Sequence, residues 1–501
     1  MASNQFSLIG DKRFLPLFIT QFFGAFHDNV YKNALVVLLL YGVSLNAGAH
    51  DTELLVTAAA GLFILPFILF SALGGQLADK YPKNKVIRVI KVAEIAIALL
   101  GVASLFTGSL VLSFAALFAL GAQSAFFGPS KYAILPDHLK DNELIAGNAL
   151  INTGTFLAIL FGTIAGTVLI TLDAGLWIIS GFLIGSAVLG YIASRSIPDT
   201  PAKASNLKLN FNPITETITI LRFAFSQQRG VVQSILGVGW FYFLAGMFMA
   251  QFPNFTKITL GADETVLAVF LVTFSVGIAI GGLLNNSLLK GRVEATYVPI
   301  AAIMMSIFCI DLSFAGAAFD GEELVGITAF FSEWANIRIA FDVFMIALFG
   351  GLYVVPLNAI IQHNTDAKQR ARIIAGSSIL DAIFIFSSAA LSAFLITKGW
   401  SIRDLFLTFA VLNTLVALYI CTILPADLFK SFLQAVFKLL YKVEVKGLEN
   451  FEKAGDRAVI VSNHVALLDP PLLAAFLPGK PMFAVNSFVA EWPILKALKK
   501  I

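Results

Sequence analysis

GPSKYAILPDHLKDNELIAGNAL, from Gly128 to Leu150, and VPLNAIIQHNTDAKQRARIIAGSSIL, from Val355 to Leu380, read as two copies of one segment. Pro129 aligns with Pro356 and, with two extra residues in between, Ala146-Gly147 aligns with Ala375-Gly376. Each copy carries the chain from the end of one apolar run, through a short polar stretch with lysine or arginine, into the next run. Copies in the same membrane orientation predict two halves related by an axis along the membrane normal, with a cavity between them.

Composition sets the class around this repeat. Hydrophobic residues make up 58% of the 501, charged residues 13%, and mean hydropathy is +0.84, whereas soluble domains average roughly 25% charged. Apolar runs long enough to cross about 30 Å of hydrocarbon recur, and such runs fit helices rather than a barrel. Twelve spans are expected: 14–43, 54–78, 86–107, 109–128, 143–171, 175–194, 231–253, 265–289, 296–316, 340–361, 372–397 and 403–424. They divide residues 1–424 into halves 1–194 and 231–424, separated by the loop 195–230. No short apolar stretch with a small-residue cleavage site precedes residue 14, so the first span reads as an uncleaved signal anchor. Cys309 and Cys421 both lie in apolar runs, which points to neither a disulfide nor a metal site; no cofactor and no nucleic-acid partner are expected.

Orientation follows from lysine and arginine in the short loops. With an inside N-terminus, nineteen of them, from Lys12 to Arg372 and including Lys83 and Lys91, fall on the inside, against four outside: Lys257, Arg338, Lys398 and Arg403. Both termini are therefore expected to face the cytoplasm. The inside loop after the second span reads Gly75-Gln-Leu-Ala-Asp79-Lys80-Tyr-Pro-Lys83-Asn-Lys85 and resembles the loop signature G-x-L-x-D-R-x-G-R-R of the major facilitator superfamily. Pro82 replaces a glycine, and the matching loop of the second half, Gly282 to Asn286, lacks the acid. A loop of this kind closes one side of the protein: Asp79 is expected at a helix end, paired with a basic residue or a helix N-terminus of the other half. Gly75, Asp79, Lys80 and Lys83 are the candidate gating residues.

Cargo recognition should use polar groups that the membrane otherwise rejects, since an ionised side chain at a helix centre costs about 2.5–3.5 kcal/mol on insertion scales. The first span is the densest source. In QFFGAFHDNVYKNAL, residues 21–35, the side chains His27, Asp28, Asn29, Lys32 and Asn33 interrupt an apolar helix. Asp28 and Lys32 stand four apart with the acid N-terminal, which predicts a pair on one face; this pair serves either the cargo or helix packing. The corresponding seventh span, Phe243 to Phe255, has nothing ionisable, so one half is expected to hold a headgroup and the other to offer an apolar wall. Further candidates are Gln123, Lys131, Asn148, Asn152, Asn358, Gln362 and Asp381, while Glu94 reads as structural. Two roles stand for Lys131, contact with a phosphate and snorkelling to the membrane surface.

Past the last span the pattern changes. Residues 426–442 place Lys430, Gln434, Lys438 and Lys442 on one side and Phe429, Leu433, Phe437 and Leu440 on the other, so 425–442 reads as an amphipathic linker helix on anionic lipid or against the bundle. From 443 the pattern turns α/β, with strands expected at VEVKGLEN and AVIVSN and a helix from DPPLLAAFL. His464 and Asp469 then have the spacing of an acyl-transfer motif. The histidine would take the proton of an acceptor hydroxyl, and the acid, capping the helix ahead of Pro470-Pro471, would orient the imidazole.

The stretches QFFGAFHDN, GGQLADKYPKNK, FGPSKYAIL and GGLYVVPLNAIIQ resemble the lysophospholipid transporter family of the major facilitator superfamily, and residues 443–501 resemble the opening block of a lysophospholipid or 1-acylglycerol-phosphate acyltransferase. The resemblance implies a major facilitator fold followed by an incomplete acyltransferase domain. It implies inward movement of lysophosphatidylethanolamine across a bacterial inner membrane and reacylation on the cytoplasmic side, with acyl-carrier protein or acyl-CoA as donor for the full-length protein. Asp28 and Lys131 match family motif positions, whereas the seventh span lacks a central basic residue. The downstream Gly-rich basic and Pro-Glu-Gly-like acceptor-binding segments of such enzymes do not occur before Ile501, so the chain is expected to be a fragment that transports without acylating. A general exporter of amphipathic drugs and a membrane anchor for the acyltransferase are the alternatives.

Overall fold

The computed structural model describes residues 5–41, 49–314, 324–448, 450, 459–463 and 468–477. Its helices are α1 (Leu15–Tyr41), α2 (Ala49–Lys80), α3 (Lys83–Thr107), α4 (Leu110–Ala133), α5 (Leu135–His138), α6 (Leu144–Leu169), α7 (Gly175–Arg195), α8 (Pro213–Phe225), α9 (Arg229–Asn254), α10 (Glu264–Leu289), α11 (Val298–Ser313), α12 (Ile327–Phe330), α13 (Trp334–His363), α14 (Arg370–Thr397), α15 (Ile402–Ile423), α16 (Pro425–Leu440) and α17 (Asp469–Phe476). Ten helical stretches among the described residues are long and apolar enough to cross a membrane. Two more segments read as spans also form helices but differ in kind. Helix α1 has the length, 27 residues, but its central polar set dilutes its hydropathy. Helix α11 is apolar but has only 16 residues, about 24 Å of rise, short of the hydrocarbon thickness.

Local signals place the helix ends. Ser109 accepts from the Leu112 N–H to open α4, Asp263 accepts from the Thr265 and Val266 N–H groups to open α10, and Ser401 with Asp404 forms a capping box on α15. The repeat is visible in three dimensions. Pro129 lies inside α4 and Pro356 inside α13, while Ala146-Gly147 and Ala375-Gly376 open α6 and α14. Packing partners repeat as well: α2 with α4 corresponds to α10 with α13, α1 with α6 to α9 with α14, and α3 with α4 to α11 with α13. Across the two halves α2 packs on α14 and α6 on α10, a pair of seams exchanged by the same pseudo-symmetry.

The interiors of the halves differ. The second is built on aromatic packing, with Phe248, Phe252, Phe255, Phe270 and Phe406 all buried and ring centroids 4.9 Å apart for Phe255 and Phe406. Such rings add about 0.5–1.5 kcal/mol per pair beyond area burial. The expected apolar wall is thus largely the core of that half.

The C-terminal strands are not formed among the described residues: 442–447 and 459–463 carry no ladder, and the one β pairing described is the isolated bridge Ala262–Val325. A strand requires a neighbour for its N–H and C=O groups, and sequence propensity does not supply one. Helix α16 is docked rather than free. Lys430 is buried with its ammonium 3.5 Å from Glu294, and Gln434 accepts from the Tyr297 hydroxyl and donates to the Ala475 carbonyl at 2.6 Å. Phe432, Leu439 and Leu440 face outward.

Candidate functional site

The polar set of α1 reaches across the first half. Asp28 and Asn29 are buried, and Ser124 on α4 donates its hydroxyl to Asp28 Oδ2, leaving Oδ1 buried with no donor among the described residues. The expected Asp28–Lys32 pair is not formed. Lys32 instead donates to Asn29 Oδ1 at 2.9 Å, and its ammonium lies 5.7 Å from the centre of the Phe63 ring. Spacing alone allowed both partners; the side chain took the amide three residues back, which frees Asp28 for other partners. His27 Nδ1 lies 3.1 Å from the Leu183 carbonyl and ties α1 to α7.

Beside Asp28 stands an ion pair that loop counting misplaced. Lys91 and Glu94 on α3 are both fully buried, 2.5 Å apart, and Gln123 Nε2 donates to the same Glu94 oxygen at 2.6 Å. Lys91 is therefore an interior residue, although positive-inside bookkeeping assigns it to the inside surface. Its spacing to Glu94, three along one helix face within an apolar run, was the available signal. Gly24 and Gly190 border the Lys91 side chain, giving it room against α1 and α7. Lys131, on α4, lies within electrostatic reach of Asp28 and Lys91. Its ammonium sits 4.8 Å from the centre of the Tyr132 ring, and no carboxylate among the described residues is in salt-bridge range.

A second polar cluster lies between the halves. Tyr132, Tyr242, Asn358, Gln362, Ser377 and Asp381 border a small cavity of 20 Å³, enough for about one water. Asp381 faces it with Oδ1 buried and without a donor among the described residues. Tyr132 donates to Asn152 at 2.9 Å. Asn148, fully buried on α6, exchanges two hydrogen bonds with Gln362 on α13, at 2.9 and 2.8 Å. Asn148 is thus a clamp between the halves, with its amide oxygen and nitrogen both engaged by protein.

The basic end of the bundle is closed by further contacts. Asp79, at the end of α2 and fully buried, accepts from the Ala371 N–H at 3.1 Å, the Arg372 N–H at 3.3 Å and Arg372 Nε at 3.0 Å. The α14 N-terminus and its cation thus meet one carboxylate of the other half, the placement the loop motif predicts. Gly75 permits it: a Cβ there would lie 2.9 Å from the Ala371 carbonyl oxygen. Lys83, also counted as a loop residue, is buried against Asp137 at 2.8 Å, and Asp137 in addition receives Lys203 at 3.3 Å and Arg370 at 3.9 Å. The neighbouring Lys80 lies over the Tyr81 ring, at 5.7 Å. Asp137 escaped notice in the sequence, although it sits in the repeated segment next to a proline. In the second half Asn285 donates to the Gly351 carbonyl at 3.2 Å, a bond within its own half.

A family model described as Major Facilitator Superfamily matches residues 17–322. The chain belongs to the major facilitator superfamily. Solved structures share the fold of this superfamily member: the human organic anion transporter MFSD10 at a TM-score of 0.63 and 13% identity, covering 81% of this chain and 98% of its own, and the proton:xylose symporter XylE at 0.60 and 13%, covering 82% and 95%. Among curated relatives, the lysophospholipid transporter LplT of Klebsiella pneumoniae subsp. pneumoniae is 24% identical over 355 residues, 70% of this chain and 80% of its own. The LplT of Photorhabdus laumondii subsp. laumondii is 25% identical over 352 residues, 69% and 79%. Residues 442–501 match the Acyltransferase family model, so this multi-pass facilitator carries an acyltransferase segment at its C-terminal end. Of that segment's candidate pair, His464 lies outside the described residues. Asp469 takes the first position of α17, with Leu468 as the N-cap. The acid was expected to cap; one residue further in, it is still favoured by the N-terminal dipole, and Pro470 and Pro471 need no helical N–H partners in that turn.

Proposed function

We propose that the chain moves lysophospholipid inward across a bacterial inner membrane by alternating access of two six-helix halves, twelve spans in all, with both termini cytoplasmic. Lysophosphatidylethanolamine is the preferred cargo. The observation that carries this reading is Asp28: a buried carboxylate in the first half with one oxygen that has no donor among the described residues, an acceptor suited to an ethanolamine ammonium, and Lys131 nearby, its charge unpaired by any described carboxylate and available for the phosphate. The similarity to LplT proteins supports the cargo class, and the acyltransferase segment supports a lysolipid rather than a soluble solute. Asn29 and Lys32 shape the Asp28 side of the site, and Asn358 and Asp381 the side facing the other half. Asn148 and the Asp79 contacts hold the cytoplasmic end shut, with Gly75, Lys80 and Lys83 around them; binding from the outer side would precede their release. The acyltransferase segment, with His464 as base and Asp469 beside it, would meet the arriving lipid, and an acyl-carrier protein or acyl-CoA would serve a complete domain.

The test is uptake of labelled lysophosphatidylethanolamine into proteoliposomes or spheroplasts. Asp28→Asn keeps the shape and the Ser124 hydrogen bond while removing the charge. It should reduce uptake by one to two orders of magnitude, since a charge-assisted hydrogen bond contributes about 1.5–3 kcal/mol. Unchanged uptake by correctly folded Asp28→Asn protein would overturn the headgroup assignment.

A further inference from the structure

The segment between the halves does not hang free as a loop. Reading along it, Ala204 N–H donates to the Asp79 carbonyl at 2.9 Å, the Asn210 N–H donates to Gln76 Oε1 at 2.9 Å, and Thr217 Oγ1 donates to the Ile68 carbonyl at 2.8 Å. As the chain number rises, the partner on α2 moves from residue 79 to residue 68, eleven positions or about 16 Å of helix rise. Ile68 lies well inside the apolar stretch Ala59–Lys80. Helix α8 then returns: Ile220 shares a small buried cluster with Ala72, Ala375 and Ile379, Ala224 lies against Gly376, and the Phe223 ring sits 5.3 Å from the Arg372 guanidinium. Arg229, just beyond, opens α9.

Opposite this packed face, Phe211, Ile214, Ile218 and Phe225 are 71%, 66%, 46% and 47% exposed. Ile214, Ile218 and Phe225 recur at i, i+4 and i+11, one stripe of the helix. Beside Thr217, at the depth of Ile68, the apolar side chains have lipid as their neighbour; of the exposed polar groups around them, Thr215 and Thr219 donate to the Asn212 and Thr215 carbonyls of their own segment, Asn212 caps α8, and Arg222 lies one turn beyond Ile218 toward the C-terminal end of the helix. The bonds also differ between the halves. The segment is hydrogen-bonded to α2 at three places, while the named contacts with α14 are apolar packing and one cation over a ring.

We propose that residues 204–225 form a re-entrant hairpin that enters the leaflet on the basic side, presents Ile214 and Ile218 to its acyl chains, and covers the seam between α2 and α14 as a strap anchored to the first half. When the halves part at this end, the strap stays on α2 and slides off α14. The opposite seam, α6 with α10, has no such cover among the described residues.

Two measurements test this in the full chain reconstituted in proteoliposomes, with Cys309 and Cys421 replaced. Spin labels at Ile214→Cys and Ile218→Cys should relax more with oxygen than with a water-soluble nickel chelate, whereas a label at Lys208→Cys, on the exposed approach, should show the reverse. Nickel accessibility at 214 and 218 would overturn lipid contact, and so would dipolar broadening between labels, which would mean a second copy covers the stripe. The strap motion rests on the transport reading and is tested by cross-linking. Bridging Ala224→Cys to Gly376→Cys should abolish uptake until reduced, and bridging Ile220→Cys to Ala72→Cys should leave it intact. Uptake persisting in the first pair, or lost in the second, would refute the strap. Absence of uptake in both unbridged pairs would refute the transport reading instead and leave the label result standing.

Discussion

Replacing Asp79 by asparagine probes the closure of the basic end in isolation. The carboxylate is fully buried and takes three donors from α14, while its cation partner Arg372 is 20% exposed. Breaking a buried pair by removing one partner costs about 3–5 kcal/mol. The low end applies here, because the asparagine oxygen still accepts one backbone N–H and Arg372 retains some solvent. A loss of about 3 kcal/mol confined to the closed state shifts the open-to-closed ratio at this end by about 150-fold. Double electron–electron resonance between labels at Tyr81→Cys and Lys368→Cys, both exposed and on opposite halves, reads this directly. The native background should give mainly the short distance and Asp79→Asn a dominant longer one. The swap of Asp79→Arg with Arg372→Asp restores opposite charges but sets a cation against the α14 N-terminus, so it should recover only part of the short population. An unchanged distance distribution in Asp79→Asn, with folded protein, would refute the assignment of Asp79 to closure.

Three further outcomes follow from contacts of the same structure. Asn148→Ala leaves the buried Gln362 amide without its two partners and should destabilise the closed form by about 1–3 kcal/mol, and the Asn148→Ala/Gln362→Ala double variant should lose less than the sum, as read from a double-mutant cycle of thermal midpoints in detergent. Glu94→Gln strands the Lys91 ammonium in the first half, at a cost of about 3–5 kcal/mol, whereas Glu94→Gln with Lys91→Met removes both charges and should regain most of the folded yield in size-exclusion chromatography. Gly281→Ala drives a methyl into the Leu348 carbonyl where α10 and α13 cross, so monodisperse protein should be lost; normal thermal stability of that variant would contradict the packing.

The architecture was legible because membrane helices announce themselves as long apolar runs and because a duplicated half leaves its prolines and glycines in register. Pro129 and Pro356 identified equivalent helices before any geometry was known. Asp79 was legible too, since a lone acid after a glycine in a basic loop has few uses. The pairing of interior polar groups was less so. Lys32 had two acceptors within one turn and took Asn29, and Lys91 looked like surface charge because hydropathy cannot show that Glu94 and Gln123 converge on it. The course of 204–225 was hidden for a similar reason: a segment rich in threonine and asparagine gives no apolar run, and its depth depends on bonds to Gln76 and Ile68 on a remote helix. The C-terminal strands were read from propensity, which supplies no pairing partner.

The distribution of these contacts bears on how the machine works. The Lys91, Glu94, Gln123, Ser124 and Asp28 groups are joined within the first half, so in the proposed rocking of the halves they would travel together and none of these bonds would have to break. Most of the described bonds that span the halves, Asp79 to α14, Asn148 to Gln362, Asp137 to Arg370 and His363 to Asp141, gather at the basic end, while Thr153 donates to the Ala279 carbonyl deeper along α6 and α10. If Asp28 holds the ligand as proposed, the ligand need not disassemble its own site for the protein to turn. On that reading its binding has only to offset the clamp, a few kcal/mol shared among these contacts, and weakening any one of them should lower the threshold for opening without altering the chemistry of the proposed headgroup site.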